Sequence, residues 1–143
     1  MSLPKPRAGL VIRYAYLWAD EAARGLEEGR KDRPSAVVLV LPQDGEEDVI
    51  VAPITHNPAP NAVTVAIPVA TARRLGLDGE RQWIVASDLN RFRWPGPDLR
   101  PLPGQGNETA FVGDLPDKLL AALRERVIEL LKRAETSVSR RTE

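Results

Sequence analysis

Two runs of strand-forming residues, joined by a short turn segment, most constrain how this chain folds. Residues 36–41 read Ala-Val-Val-Leu-Val-Leu, and residues 48–54 read Asp-Val-Ile-Val-Ala-Pro-Ile. Both runs are almost continuously apolar, and residues 42–47 between them are typical of turns. The pattern predicts an antiparallel hairpin buried on both faces. A cationic segment precedes its first strand, and a threonine-histidine pair follows its second.

The rest of the chain predicts shorter strands and two helices. Strand-forming residues occupy segments 9–18, 62–67, 82–87 and 109–112. Segment 69–75 predicts a short helix ended by Gly76, and segment 20–29 predicts no more than a helical turn within a loop. Proline and glycine exclude a central strand or helix from segment 94–106.

The C-terminal region contains the clearest helical pattern. Pro116 stands where helices favour proline, and apolar residues follow at three- and four-residue spacing. The helix is expected over residues 116–134, after a barrel over residues 9–113. The polar tail, residues 135–143, is expected to fray. The pattern favours one domain of α+β class that is mainly β, a small barrel-like antiparallel sheet with a C-terminal helix.

Composition narrows the possible functions. The chain has 143 residues, no cysteine, one histidine and a formal net charge of zero. These counts argue against disulfides, a transition-metal site and a strongly basic nucleic-acid-binding domain. Phosphate-binding glycine loops and the zinc-protease and serine-hydrolase motifs are absent, so no cofactor is expected. No apolar run is long enough to span a membrane and the N-terminus does not resemble a signal peptide, so we expect a cytoplasmic protein.

Three polar residues flank the hairpin and form the candidate catalytic group. Arg33 precedes Pro34, which holds it extended, and a guanidinium fixed in this way suits a phosphate group. Thr55 and His56 follow the second strand, and histidine readily exchanges protons near neutral pH. Each residue alone is also an ordinary surface or strand residue. Together they suggest cofactor-free cleavage of an RNA phosphodiester, in which the 2′-hydroxyl is the nucleophile.

The order of these motifs resembles the PemK/MazF family of toxins from type II toxin-antitoxin systems. The chain has Gly-Leu-Val-Ile at residues 9–12, a glycine- and arginine-containing loop at 25–30, Arg33-Pro34 before an apolar strand, and Pro-Ile-Thr at residues 53–55. The likeness covers about residues 7–90. It implies an SH3-like small barrel of the PemK/MazF/CcdB type, a homodimer, metal-independent cleavage of single-stranded RNA, and control by a small antitoxin protein.

The resemblance assigns phosphate chemistry to Arg33 and a site role to Thr55. The family usually has serine where this chain has His56. It also tends to have arginine followed by aspartate after its central helix, where this chain has residues 87–92. The residues expected to bind substrate are therefore Arg30, Lys31, Asp88, Asn90 and Arg91. Two alternatives stay open: a non-catalytic module that inhibits or regulates a protein partner, as the gyrase-poisoning relatives do, and a protein that binds RNA without cleaving it.

Overall fold

The computed structural model describes residues 5–23, 32–77, 81–96, 98–102 and 104–141, and these residues form a mainly β structure. The described helices are α1 (Ala19–Ala23), α2 (Val69–Arg74), α3 (Asp117–Lys132) and a 3-10 helix (Asn107–Ala110). The strands are β1 (Leu10–Ala15), β2 (Asp32–Gln43), β3 (Glu46–Thr55), β4 (Thr64–Ile67), β5 (Gln82–Val85), β6 (Asp88–Arg93), β7 (Phe111–Asp114) and β8 (Ser137–Arg140). Among the described helices, none is long and apolar enough to cross a membrane.

The predicted hairpin is confirmed as β2 and β3, which pair antiparallel from Ser35↔Pro53 to Gln43↔Glu46. Its turn is formed by Asp44 and Gly45, whose φ angles are 51° and 79°. Two positive φ angles are characteristic of the type I′ turn, whose twist matches that of the adjoining strands. The register shifts between Val37 and Leu39, so an irregularity interrupts the ladder near its middle.

Strand β3 connects the two parts of the sheet. One edge pairs with β2, and β1 and β7 continue the sheet on that side. The other edge pairs first with β6 and then, at Ile54 and Thr55, with β5, which also pairs with β4. The eight strands that the structure describes form a sheet that curls into a half-barrel, and their pairs are antiparallel apart from the parallel pair β6–β8. The change of partner along β3 brings the ends of β2, β3, β5 and β6 to one region.

Apolar side chains pack on both faces of the sheet. On one face, Val11, Val38, Ile54 and Ile84 lie in a core with the buried stripe of α3. That stripe consists of Leu119, Leu123, Val127 and Leu130. The opposite face is richer in aromatic residues, and its buried members are Leu10, Ile12, Tyr14, Tyr16, Val37, Val49, Val51 and Phe92. The alternating pattern of the first strand therefore separates the two cores, as expected for β structure.

Both predicted helices are confirmed, as α2 and α3, but the expectation of a frayed tail is wrong for residues 137–140. Residues 137–140 form β8, which pairs in parallel with β6, a strand about fifty residues earlier in the chain. Arg141, the next residue, is only 4% exposed. A polar segment that becomes a strand only by pairing with a distant strand has no local pattern that predicts it. Strand β6 is polar and pairs with distant strands too, and the sequence therefore does not predict it either. The predicted loop lies between β6 and the 3-10 helix, and Leu99 in it forms an isolated bridge to Tyr14.

Candidate functional site

A cavity of about 630 Å³ lies where β2 begins, β3 ends and β6 begins. Its volume falls in the range typical of small-molecule sites. The residues that line it are Trp18, Ala19, Asp20, Arg33, Thr55, Asn57, Ala59, Asn61, Ala62, Val85, Ser87, Asp88, Glu135 and Ser137. Three residues singled out from the sequence, Arg33, Thr55 and Asp88, therefore line one cavity although they belong to three different strands.

Arg33 is held by its strand and by an aromatic neighbour. It is the second residue of β2 and pairs with Tyr14 of β1. Its guanidinium carbon lies 5.2 Å from the centre of the Trp18 ring, which is a cation–π contact. A cation–π contact leaves the guanidinium charged, so its N–H groups can still bind an anion in the cavity. Arg33 thus supplies a positioned positive charge.

Thr55 is the last residue of β3 and is only 5% exposed. Its hydroxyl accepts a hydrogen bond of 3.1 Å from the backbone N–H of Asn57, which fixes the turn that leaves the strand. A hydroxyl that accepts this bond still has its own hydrogen to donate. The side chain can therefore donate a hydrogen bond to an oxygen of a bound molecule.

Asp88 begins β6 and has an unusual carboxylate environment. Tyr16 donates a hydrogen bond of 2.7 Å to Oδ1, and the backbone N–H of Ala19 donates one of 3.0 Å to Oδ2. Partial burial nevertheless raises the pKa of Asp88 above its ordinary value, with further increases from the nearby carboxylates Asp20 and Glu21. A carboxyl group with a raised pKa in a cavity is a candidate for proton transfer.

The remaining predicted site residues lie elsewhere or outside the described residues. His56 is exposed, one position beyond β3, and is not among the residues that line the cavity. Arg30 and Lys31 lie outside the described residues. Their predicted roles, and that of His56, stay predictions.

Asn90 and Arg91 have structural contacts away from the cavity. The Asn90 side chain is completely buried and bonds to Leu17 through both its oxygen and its nitrogen, at 3.0 and 2.7 Å. Arg91 donates a bond of 2.9 Å from Nε to Asp48, a buried carboxylate on the neighbouring strand. Of the three residues predicted on this strand to bind substrate, Asp88 lines the cavity, whereas Asn90 and Arg91 do not.

Glu135 and Ser137 also line the cavity, although no sequence pattern marks them as site residues. They belong to the segment expected to be a frayed tail, and only the parallel pairing of β8 with β6 brings them to the site. Trp18 also contributes to the lining, three residues beyond the end of β1. It is the last residue of the strand predicted over residues 9–18, and residues at strand ends often belong to functional sites.

Carboxylates outnumber cations in the described lining. Asp20, Asp88 and Glu135 carry carboxyl groups, whereas Arg33 is the one lysine or arginine among the described residues that line the cavity. As far as its described lining goes, the site is therefore not a basic groove. It combines one anion-binding group with hydrogen-bond acceptors and a hydroxyl. Within the described residues, no three histidine, aspartate or glutamate side chains are grouped closely enough to hold a metal ion.

Comparisons of this chain with protein-family models, with curated proteins and with solved structures find no match. The function is therefore inferred from the chemistry of the cavity, together with the motif order described above.

Proposed function

We propose that the protein is a PemK/MazF-like toxin that cleaves single-stranded RNA without a metal ion. The observation that carries the proposal is that Arg33, Thr55 and Asp88 line the same cavity. The curled, mainly β sheet supports the finer proposal that the fold is an SH3-like barrel of this family. A homodimer, a small antitoxin partner and action in the cytoplasm belong to the same proposal.

The proposed reaction uses the RNA's own 2′-hydroxyl as the nucleophile. Asp88 takes the proton of that hydroxyl, and the 2′-oxygen then attacks the adjacent phosphorus. The bond from phosphorus to the 5′-oxygen breaks, and the leaving oxygen takes a proton from water. The hydroxide that remains takes the proton from Asp88 and so restores its carboxylate. The products are a 2′,3′-cyclic phosphate and a 5′-hydroxyl end. Arg33 neutralises the charge that develops on the phosphate oxygens, and Thr55 donates a hydrogen bond that orients the group.

Cleavage assays with matched variants test the proposal. Wild-type protein should cut single-stranded RNA in the presence of EDTA, and Arg33→Ala should lower the rate about 100-fold or more, because a preorganised charge at the phosphate is lost. Thr55→Val should also lower the rate, whereas Thr55→Ser, which keeps the hydroxyl, should retain much of it. Arg124→Ala removes an exposed arginine from the outer face of α3 and is the matched control. Folded wild-type protein that leaves a broad set of RNAs intact would show that the proposal of catalysis is wrong.

A second pair of variants identifies the base. The asparagine of Asp88→Asn can still accept the hydrogen bond from the Ala19 N–H and contact Tyr16, but it has no carboxylate to take a proton. Asp88→Asn should therefore nearly abolish cleavage. His56→Ala should change the rate little, because His56 does not line the cavity. The wild-type rate should fall as pH is lowered through the raised pKa of Asp88, since only the ionised carboxylate accepts a proton. The opposite result, loss of activity in His56→Ala alone, would assign the base to His56.

The excess of carboxylates favours one other candidate, a non-catalytic module on the same fold that inhibits or regulates a protein partner. Asp20, Asp88 and Glu135 would suit a basic side chain of that partner. Growth arrest on expression that survives Arg33→Ala while cellular RNA stays intact would support it. Tight RNA binding without cleavage or growth arrest would instead indicate an RNA-binding protein.

A further inference from the structure

Glu135 is held at the cavity by backbone contacts on both sides. The preceding helix ends in a Schellman motif, in which the Glu135 N–H bonds to the Leu130 carbonyl at 2.9 Å and the Ala134 N–H bonds to Leu131 at 3.2 Å. The following residue, Thr136, donates a hydroxyl hydrogen bond of 2.9 Å to the Ala86 carbonyl. The backbone that presents Glu135 is therefore fixed, although the segment is polar and lies near the C-terminus.

The Glu135 carboxylate differs from the other acidic groups of the cavity. Both oxygens of Asp88 accept hydrogen bonds from within the protein. Asp20 also has a partner in the protein. Within the described parts of the chain, the Glu135 side chain has neither a hydrogen bond nor an ion pair, and its residue is exposed. It is thus the carboxylate most able to accept hydrogen bonds from a bound molecule.

An ionised carboxylate accepts two hydrogen bonds side by side and donates none. Among the four RNA bases, guanine alone presents two adjacent donors on its Watson–Crick edge, at N1 and at the exocyclic N2. Adenine and cytosine each present one amino group beside an acceptor, and uracil presents one N–H between two oxygens. A carboxylate therefore favours guanine over the others.

We propose that Glu135 selects guanine in the RNA that binds the cavity, with its carboxylate accepting from N1–H and N2–H. Arg33 binds the phosphate of the same nucleotide or of its neighbour. This inference rests on the proposed function, because it presumes a nucleotide in the cavity. The specificity-determining residue that it adds, Glu135, lies outside residues 7–90, the part of the chain that resembles the toxin family.

Binding of mononucleotides to the full chain tests the inference without requiring cleavage. NMR titrations with 5′-GMP, 5′-IMP, 5′-AMP and 5′-UMP should show GMP binding about tenfold more tightly than AMP or UMP, the range of one bidentate contact to a base. IMP lacks the N2 amino group and should bind with intermediate affinity. Glu135→Gln should bring GMP and AMP to within about twofold of each other, because its amide offers one acceptor and one donor. Glu125→Gln on the exposed surface of α3 is the matched control and should keep the GMP preference.

The outcomes separate the two proposals. If GMP is preferred and Glu135→Gln removes the preference, the inference is supported. If nucleotides bind through Arg33 with equal affinity for all bases, or if the GMP preference survives in Glu135→Gln, Glu135 is not the selecting residue and the proposed function stands. If neither the nucleotides nor single-stranded RNA bind, both proposals are wrong.

Discussion

Ala134 adopts a left-handed backbone conformation at the end of α3, with a φ angle of 54°. An L-residue with a Cβ atom is strained in this region, and glycine is the usual residue at this position of a Schellman motif. The conformation turns the chain from α3 towards Glu135 and the cavity. The strain therefore accompanies a backbone path that the proposed site requires.

Glycine at this position should relieve that strain. We expect Ala134→Gly to raise the free energy of unfolding by about 0.5 kcal/mol. The substitution removes the strain of alanine in the left-handed conformation, but part of that gain is lost because glycine increases the backbone entropy of the unfolded chain. Ala121→Gly, at an exposed position within α3, is the matched control and should lower it by about 1 kcal/mol. Urea denaturation measures both. Equal destabilisation by the two substitutions would contradict the assignment of strain to Ala134.

At this scale the sequence could indicate Arg33 and Thr55, because a residue beside a strand end can be located from the strand pattern alone. The residue type alone indicates Asp88, but its pKa is raised by partial burial and by the carboxylates Asp20 and Glu21, which lie about seventy residues away in the chain. Glu135 could not be chosen at all. Its position depends on a tertiary pairing of a polar segment, for which hydrophobic periodicity gives no signal.

Among the elements, the last strand is attached to the molecule through a buried arginine. Arg141 pairs with Asp98 at 3.1 Å, and both side chains are at most 6% exposed. Its guanidinium also donates to the Ala15 carbonyl at 2.7 Å and to Asn90 at 3.2 Å. These contacts tie the C-terminal segment to the end of β1 and to β6, and Asn90 in turn binds Leu17, next to the cavity residue Trp18.

A double-mutant cycle measures this attachment. Arg141→Ala should lower the free energy of unfolding by about 2 kcal/mol or more, because the buried Asp98 carboxylate loses its closer arginine and keeps only the partly exposed Arg100, at 3.7 Å. The double variant with Asp98→Ala should lose less than the sum of the two single losses, with a coupling above about 1 kcal/mol. Arg140→Ala, one residue earlier and with a side chain 62% exposed, is the control and should cost about 0.5 kcal/mol or less. Strictly additive effects would show that the buried pair does not hold the strand.

The elements with strong local patterns were those the sequence could predict. The β2–β3 hairpin combines apolar runs with a turn sequence, and α3 combines an N-terminal proline with a regular apolar stripe. Strands β6 and β8 lack such patterns. Their sequences, Asp-Leu-Asn-Arg-Phe-Arg and Ser-Val-Ser-Arg, become strands because β3 provides an edge for β6 and β6 provides one for β8.

Over the whole molecule, positive charge is divided between the two faces of the sheet. Arg91 and Arg93 surround the buried Asp48, whose pKa they hold below its ordinary value through hydrogen bonds. Side chains alternate along β6, so Arg91 lies on the opposite face from Asp88 and the cavity. These arginines therefore do not extend the cavity into a basic track for RNA.

This division predicts a weak salt dependence for RNA binding. If Arg33 is the one phosphate contact, the logarithm of the binding constant should fall with the logarithm of salt concentration with a slope of about −0.7. Fluorescence anisotropy with a non-cleavable 2′-O-methyl RNA measures this slope between about 50 and 200 mM salt. Arg33→Ala should bring it close to zero. A slope of about −2 would show that Arg30 and Lys31 also contact phosphates, and a steeper one would contradict binding in this cavity.

The hairpin turn at Asp44 and Gly45 has a practical consequence for such measurements. It lies at the opposite end of β2 and β3 from Arg33 and Thr55, and ten strand residues separate it from the cavity by about 30 Å. Both turn residues have positive φ angles that cysteine does not favour, but Gln43 beside them is exposed and extended. Gln43→Cys would therefore introduce the sole thiol of the chain next to the turn. It would therefore accept a fluorophore or a surface tether while the cavity stays unobstructed.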